Sequence, residues 1–482
     1  MGKKIEFGTD GIRGVAGEYP LDPATVLRIG RALGKWLRGR SADPKAIIGR
    51  DTRVSGAWIA NTLALGMIAE GVNVTDRQVI NTPGVAYLTH AHHFDLGVVV
   101  SASHNPAPQN GIKILGKDGF KLNDADEETV EALIAAEPEP LGFEGYAHFG
   151  YYVPGRDQYQ TNLLGARGGE SLDGLKVVLD CANGAGYFIA PDTFQRAGAS
   201  VVKLNTNPDG FNINLRAGSE HVRRNRDYLH ETVQLNQADV GFAFDGDADR
   251  VVAVTPDGVL IDGDHLLGIL ALEMKRTGNL VGDTVVATEM SNSGLERFLK
   301  DQGIKLVRTK VGDRFVMDAM RQGGYTLGGE QAGHIILLEN GWTAGDGIYT
   351  ALKIAALIAR NKRAGGESLS ALTQRIPRYP QVIASAHLSK QVDLSSVSGL
   401  EALRQETLAA FKGMGRVNLR FSGTEPNLLR AMVEGGEDTP LDEVVRRALA
   451  LCGMVAQAAQ SPNPMIDVVD CMTGASIKLQ GA

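Results

Sequence analysis

Three aspartates at alternate positions stand in the run Phe244-Asp245-Gly246-Asp247-Ala248-Asp249-Arg250, directly after an apolar stretch from Val240 to Phe244. Carboxylates spaced this way, with small residues between them, can converge on one hard cation. An EF-hand loop is excluded, because its sixth position should be glycine and its twelfth glutamate, and these are Arg250 and Pro256. Without a cation, three such charges behind a buried strand repel one another. Mg²⁺ suits them, since it takes few carboxylates and completes its octahedron with phosphate or water. Arg250 would then lie beside a bound phosphate.

Ser101-Ala102-Ser103-His104-Asn105-Pro106 follows a second apolar run, Leu96 to Val100. Asn-Pro favours a turn, so Ser103 should be displayed on a loop at the C-terminal end of a strand, where open α/β sheets place their ligands. The six residues alone fit an ordinary turn as well as a nucleophile. Lys113, in Asn110-Gly111-Ile112-Lys113, is placed to stabilise charge or move a proton, or is a surface lysine.

Gly328-Gly329-Glu330-Gln331-Ala332-Gly333-His334 reads as a flexible loop whose carboxylate and imidazole could hydrogen-bond sugar hydroxyls. In Arg420-Phe421-Ser422-Gly423-Thr424-Glu425-Pro426-Asn427, with Arg430 close behind, two guanidinium groups, two hydroxyls and a Gly-containing backbone read as a phosphate cradle, with a plain hairpin turn as the alternative. Phe7-Gly8-Thr9-Asp10-Gly11-Ile12-Arg13-Gly14 on its own reads as a tight turn. The cluster His90-Ala91-His92-His93 lacks a partner motif and is read as structural.

The elements that must hold these groups follow one pattern. Strand, acidic turn, helix, glycine stop and strand recur from Ala46 to Thr75, from Lys176 to Leu204 and from Thr284 to Arg308, the form of a βαβ crossover with parallel strands. From Pro23 to Arg40 the apolar residues recur at helical spacing. We therefore expect three repeated α/β domains with mixed, largely parallel sheets, at 1–155, 156–257 and 258–375. A smaller α+β domain follows at 376–460, with strands Val417 to Phe421 and Leu428 to Glu434 and a helix from Leu441 to Gln457. Beyond Ser461 a Pro-Asn-Pro break suggests a tail, 461–482, without evident function.

The 482 residues are enough for about three to four domains. With 43% hydrophobic and 22% charged residues, composition is that of a soluble globular protein, and no stretch approaches a membrane span. A net charge of −7 gives no overall attraction to nucleic acid. Three cysteines, Cys181, Cys452 and Cys471, have no metal-type spacing, which points to reduced thiols in a cytoplasm and away from zinc. The N-terminal residues lack the apolar core of a signal peptide.

Together these motifs resemble the α-D-phosphohexomutase superfamily, over residues 5 to 455 and with four separated motifs in the superfamily's order. Phe7 to Gly14, Leu179-Asp180-Cys181-Ala182-Asn183-Gly184-Ala185 and Pro208-Asp209-Gly210-Phe211-Asn212-Ile213-Asn214 look most like its bacterial phosphoglucosamine mutase branch. The resemblance implies an isomerase that interconverts a 6-phosphosugar and a 1-phosphosugar through a phosphoserine and a 1,6-bisphosphate, in this branch supplying UDP-N-acetylglucosamine and cell-wall precursors. Carried over by motif, Ser103 would hold the phosphoryl group, and Asp245, Asp247 and Asp249 would bind one Mg²⁺ together with the Ser103 phosphate. Arg250 and His104 would flank it, Lys113 and Arg13 would lie near the transferring phosphate, and Glu330 and His334 would hold sugar hydroxyls. Arg420, Ser422, Gly423, Thr424 and Arg430 would grip the phosphate that is not reacting.

Three residues depart from the branch's usual pattern: Ala332 for Ser, Glu220 for Thr and Phe421 for Lys. They bear on the sugar rather than on phosphoryl transfer. Two other readings stay open, a phosphomannomutase or phosphoglucomutase on the same scaffold and a non-catalytic sugar-phosphate binding protein. The expected partner is a small phosphosugar, with neither nucleic acid nor membrane; a homodimer is left open.

Overall fold

The computed structural model describes residues 5, 7–8, 11–136, 147–152, 154–339, 344–412, 415–422, 427–461, 464–471 and 476–480. They form four sheets of six, five, four and five strands in chain order. Each expected crossover is present. Lys45–Arg50 pairs parallel with Asn73–Val79, Lys176–Asp180 with Ser200–Leu204, and Thr284–Thr288 with Lys305–Thr309. Antiparallel strands complete each of these three sheets, so they are mixed. The fourth sheet is antiparallel throughout.

Local chemistry explains the first helix, Pro23–Arg38. Asp22 caps it by accepting from the Thr25 N–H, proline opens it, Val26, Ile29, Leu33 and Leu37 form its buried face, and Lys35 and Arg38 lie in its last turn. The two strands that end at the chemistry, Leu96–Val100 and Val240–Phe244, are buried at every position because each lies between two others in its sheet.

One apolar core runs from Ile47 and Val85 through Phe194 and Phe242 to Val285 and Ile348, joining the first three sheets. The fourth unit has a core of its own, with Val382, Leu429, Leu451 and Ile466. It is tied to the third by the buried Glu434, which accepts from the Ser293 N–H at 3.2 Å and from Arg416 Nη2 at 2.8 Å.

Three sequence expectations change. Leu260–Ile261 pairs antiparallel with Val251–Val254, so the second sheet continues past residue 257 and the next helix begins at Gly263. Gly328 to His334 is not a flexible loop: Gly329 pairs with Ile335 across a hairpin closed by the Glu330 N–H to His334 carbonyl bond of 2.9 Å. The segment after Ser461 is not a loose tail. Met465–Asp470 pairs with Gln381–His387 and with Ser476–Gln480, and Ile466 and Val468 enter the fourth core.

Candidate active site

Ser103 sits just past the end of Leu96–Val100 with a left-handed backbone, φ +51°, and is 1% exposed. A serine rarely adopts this conformation unless its surroundings impose it. Here a buried network does. Asp51 Oδ2 accepts from Arg53 Nε at 2.9 Å and from Ser101 Oγ at 2.6 Å, and Ser101 Oγ in turn accepts from the Ser103 N–H at 3.0 Å. Arg53 Nη2 donates to the carbonyls of Ser103 and Asn105 at 3.0 and 2.7 Å, and Asn214 Nδ2 donates to the same two at 2.8 and 3.0 Å.

The Arg53–Asp51 pair is fully buried. Arg53→Met should therefore cost about 3–5 kcal/mol in urea unfolding, because it strands the Asp51 charge, and it should lower activity by releasing the serine loop. A cost below about 1 kcal/mol would mean that something else holds the loop.

The aspartate loop meets this serine directly. Gly246 is required at its tip, since a Cβ there would lie 2.5 Å from the Ser103 carbonyl oxygen. Ser103 Oγ donates to Asp245 Oδ2 at 2.5 Å. Oxygens of Asp245, Asp247 and Asp249 lie within 4.8 Å of one another, the one such metal-capable group found among the described residues. Asp247 Oδ2 accepts from Thr82 Oγ1 at 2.6 Å and Lys113 Nζ at 2.8 Å. Asp247 Oδ1 and Asp249 Oδ1 are buried without a hydrogen-bond partner.

Burial, then the charges of Asp249 and Asp247, push the Asp245 carboxyl well above its usual range. Burial also works against ionised Asp249, but Lys113 and His334 outweigh it and hold that carboxyl well below the usual range. Oxygen-only donors, two of them unsatisfied, around a shared point of negative charge fit a divalent cation such as Mg²⁺.

Arg250 links this loop to its neighbours. Its N–H donates to Asp245 Oδ1 at 3.2 Å, its Nη1 donates to His104 Nδ1 at 3.3 Å, and its backbone bridges to His334. Burial opposes its charge, yet Asp249 and Asp245 raise its pKa further. His104 Nδ1 is 3.4 Å from Ser103 Oγ; burial and then Arg250 push its pKa down to about 4, so it is neutral near pH 7. Arg13 Nη1 reaches the Ala102 carbonyl and Asn105 Oδ1 at 3.5 Å each.

Residues from all four units line one cleft of about 1790 Å³. Glu330 and His334 line it, but His334 is turned toward carboxylates, with Nδ1 3.7 Å from Asp249 Oδ2 and Nε2 3.8 Å from Asp313 Oδ2. Burial works to lower its pKa, but Asp249, with Asp313 and Glu330, together outweigh burial and raise it. On another wall Arg420 and Arg430 are paired across adjacent strands, next to Ser422. Burial and then Arg430 lower the Arg420 pKa, against smaller opposing pulls from Glu289 and Glu330. Gly423 and Thr424 lie outside the described residues.

Sequence motifs missed Thr82, Asn214 and the anchoring roles of Asp51 and Arg53. Arg50-Asp51-Thr52-Arg53 after a strand was the available signal for the last two, and Asn214 ends the Pro208 to Asn214 motif; Thr82 carried none. Arg223, Lys310 and Arg378 on the cleft wall were also missed.

Sequence profiles of the phosphoglucomutase/phosphomannomutase family match four stretches: alpha/beta/alpha domain I at 4–140, domain II at 158–258, domain III at 262–379 and the C-terminal domain at 383–451. A phosphoglucosamine mutase of Symbiobacterium thermophilum is 43% identical over 94% of this chain and 99% of its own. Among solved structures, a phosphoglucomutase/phosphomannomutase family protein from Burkholderia thailandensis superposes with a TM-score of 0.77 at 26% identity, covering 95% of this chain and 98% of that one. Aspergillus fumigatus N-acetylphosphoglucosamine mutase, in complex with GlcNAc-6P and magnesium, shares the fold with a TM-score of 0.63 at 18% identity over 95% and 96%.

Proposed function

Because the chain belongs to the phosphoglucomutase/phosphomannomutase family, the α-D-phosphohexomutases, and is an isomerase of that kind, we propose that it interconverts glucosamine 6-phosphate and glucosamine 1-phosphate. The observation that carries this reading is the contact between Ser103 Oγ and the aspartate triplet, in a cleft whose far wall holds the Arg420–Arg430 pair. One end of such a cleft can transfer a phosphoryl group while the other holds a second phosphate.

Phospho-Ser103 gives its phosphoryl group to the 1-hydroxyl of the 6-phosphosugar. The Oγ–P bond breaks as the O1–P bond forms, and the proton lost at O1 balances the one gained at Oγ. The resulting 1,6-bisphosphate turns over in the cleft and returns its 6-phosphate to Ser103. Lys113 and Arg250 stabilise charge on the transferring group, and neutral His104 is within reach of a proton at Ser103 Oγ. Mg²⁺ would be held by Asp245, Asp247 and Asp249 together with the Ser103 phosphate, and would supply charge neutralisation for the transfer.

Glu330 and His334 hold sugar hydroxyls, Arg13 supports the serine loop, and Arg420, Ser422 and Arg430, with Gly423 and Thr424, grip whichever phosphate is idle. Glu220, Glu289 and Glu330 on the cleft wall offer counter-charges to a cationic 2-amino group. No helix of the described residues is long and apolar enough to cross a membrane, and Cys181, Cys452 and Cys471 are unbridged, in keeping with work in the cytoplasm.

Rates on glucosamine 6-phosphate, mannose 1-phosphate and glucose 1-phosphate test the sugar. We expect kcat/KM for the amino sugar to exceed the others by about 100-fold, the range over which a few polar contacts discriminate. A preference for a neutral sugar would make it a phosphomannomutase or phosphoglucomutase. Folded protein inert toward all three would restore the binding-protein reading.

A further inference from the structure

A second cavity, of about 240 Å³, lies where the first unit meets the second, and none of its lining residues borders the catalytic cleft. Arg77 lines it from a β-bulge. Ile48 pairs with Asp76 and Gly49 with Gln78, leaving Arg77 as the extra residue, and Gln78 takes a left-handed φ of +64°. Although Arg77 is only 4% exposed, its Nε and Nη2 are buried without a hydrogen-bond partner. Buried guanidinium donors left open in this way are costly unless a ligand fills them.

The surrounding charges do not cancel. Arg50 and Arg156 line the same cavity. Asp76 is already engaged, accepting from Arg50 Nη1 at both oxygens, 3.1 and 3.0 Å, and from the Gln78 N–H at 2.6 Å. Asp157, which is exposed, lies 3.5 Å from Arg196. That leaves Arg77 and Arg156 facing one small space. Burial and then Arg156 lower the Arg77 pKa, and the opposing pulls of Asp157 and Asp76 do not fully offset them.

Two helices also begin here. Arg156 lies in the first turn of Gly155–Leu164, and Ile189, which opens Ile189–Arg196, is a lining residue. A cation at a helix N-terminus opposes the helix dipole, whereas an anion there is favoured. Arg156 stacks on the Phe188 ring, 4.7 Å from its centroid, which fixes one wall.

We propose that this cavity binds a phosphoryl group, at a site distinct from the catalytic one. Two guanidinium groups match the charge of a phosphate dianion and the geometry of its oxygens, and the volume admits a phosphoryl group either free or carrying a small organic substituent.

Inorganic phosphate is the probe, titrated calorimetrically without Mg²⁺ into full-length protein carrying Arg420→Ala and Arg430→Ala, which disable the cleft's own phosphate cradle. A saturable site should remain and should weaken by about tenfold or more on adding Arg156→Ala, whose side chain is half-buried. Arg77→Met, of similar stem length, is the second variant and should abolish binding. Glycerol phosphate run alongside separates the sources: tighter binding than phosphate identifies an organic monoester, weaker binding free phosphate. No saturable binding in the cradle-less protein overturns the proposal, as does binding that neither added substitution changes. Arg156→Ala alone should leave mutase turnover within about twofold of wild type, since the two sites share no residue.

Discussion

Ser103→Ala should reduce mutase turnover by at least about 10⁴-fold, the scale on which loss of a covalent carrier is felt when its partners remain in place. The protein should stay folded. Alanine keeps the volume of the loop, and the network that fixes it acts on backbone atoms: Arg53 and Asn214 hold the carbonyl of residue 103, and Ser101 Oγ its N–H. Only Asp245 Oδ2 loses a donor. Thermal unfolding within a few degrees of wild type, together with absent turnover, would separate the chemical role from a structural one. Intact mass gives an independent readout, because wild type incubated with a sugar 1,6-bisphosphate should gain one phosphoryl group and the variant none. A variant that turned over at a tenth of the wild-type rate would remove Ser103 from the reaction.

Asp245→Asn should separate stability from activity in opposite directions. In the metal-free protein one of three crowded carboxylates loses its charge, and stability should rise by about 1–2 kcal/mol, as removal of strain at functional sites commonly does. An asparagine fits the position: its oxygen can still accept from the Arg250 N–H and its amide can donate to Ser103 Oγ, reversing that bond. Turnover should fall by about 10³-fold or more, since in the proposed mechanism this cluster stabilises the transferring charge. Mg²⁺ should raise the wild-type unfolding temperature, by the equivalent of about 2.7 kcal/mol at a hundredfold excess over its Kd, and should leave the variant nearly unmoved. An unchanged Mg²⁺ dependence of rate in Asp245→Asn would show that the cation binds elsewhere.

Much of the architecture could be read along the chain because its signals are local. Val240–Phe244 and the aspartates behind it, or Leu96–Val100 and Ser103, are each one strand and one turn, and both strands begin and end where the apolar runs do. Parallel crossovers leave their mark in the same way. What escaped notice depends on contacts between distant residues. Asn214 grips the carbonyl of a serine 111 positions away, and Thr82 meets Asp247 across 165. No spacing rule reaches so far. His334 was readable as a polar group on the cleft, but its partners were not, because the carboxylates of Asp249 and Asp313 come to it from another loop and from the start of a helix. Phe421 and Arg420 could be placed on a strand; that Arg420 faces Arg430 followed only from the register of that hairpin. Met465–Asp470 was overlooked for a different reason. Its β-branched Ile466, Val468 and Val469, interspersed with Asp467 and Asp470, are a strand signal, but the run is short and stands behind a proline-rich break that reads as an ending.

That last strand matters beyond its place in the fold. It covers one side of Gln381–His387, whose other side is taken by Leu428–Glu434. A chain shortened after Ser461 would keep every residue assigned a chemical task and still present an open ladder of N–H and C=O groups from Val382 to Ala386, a template onto which another molecule's strand can add. The cost of such a truncation would be paid in solubility, as aggregates formed edge to edge.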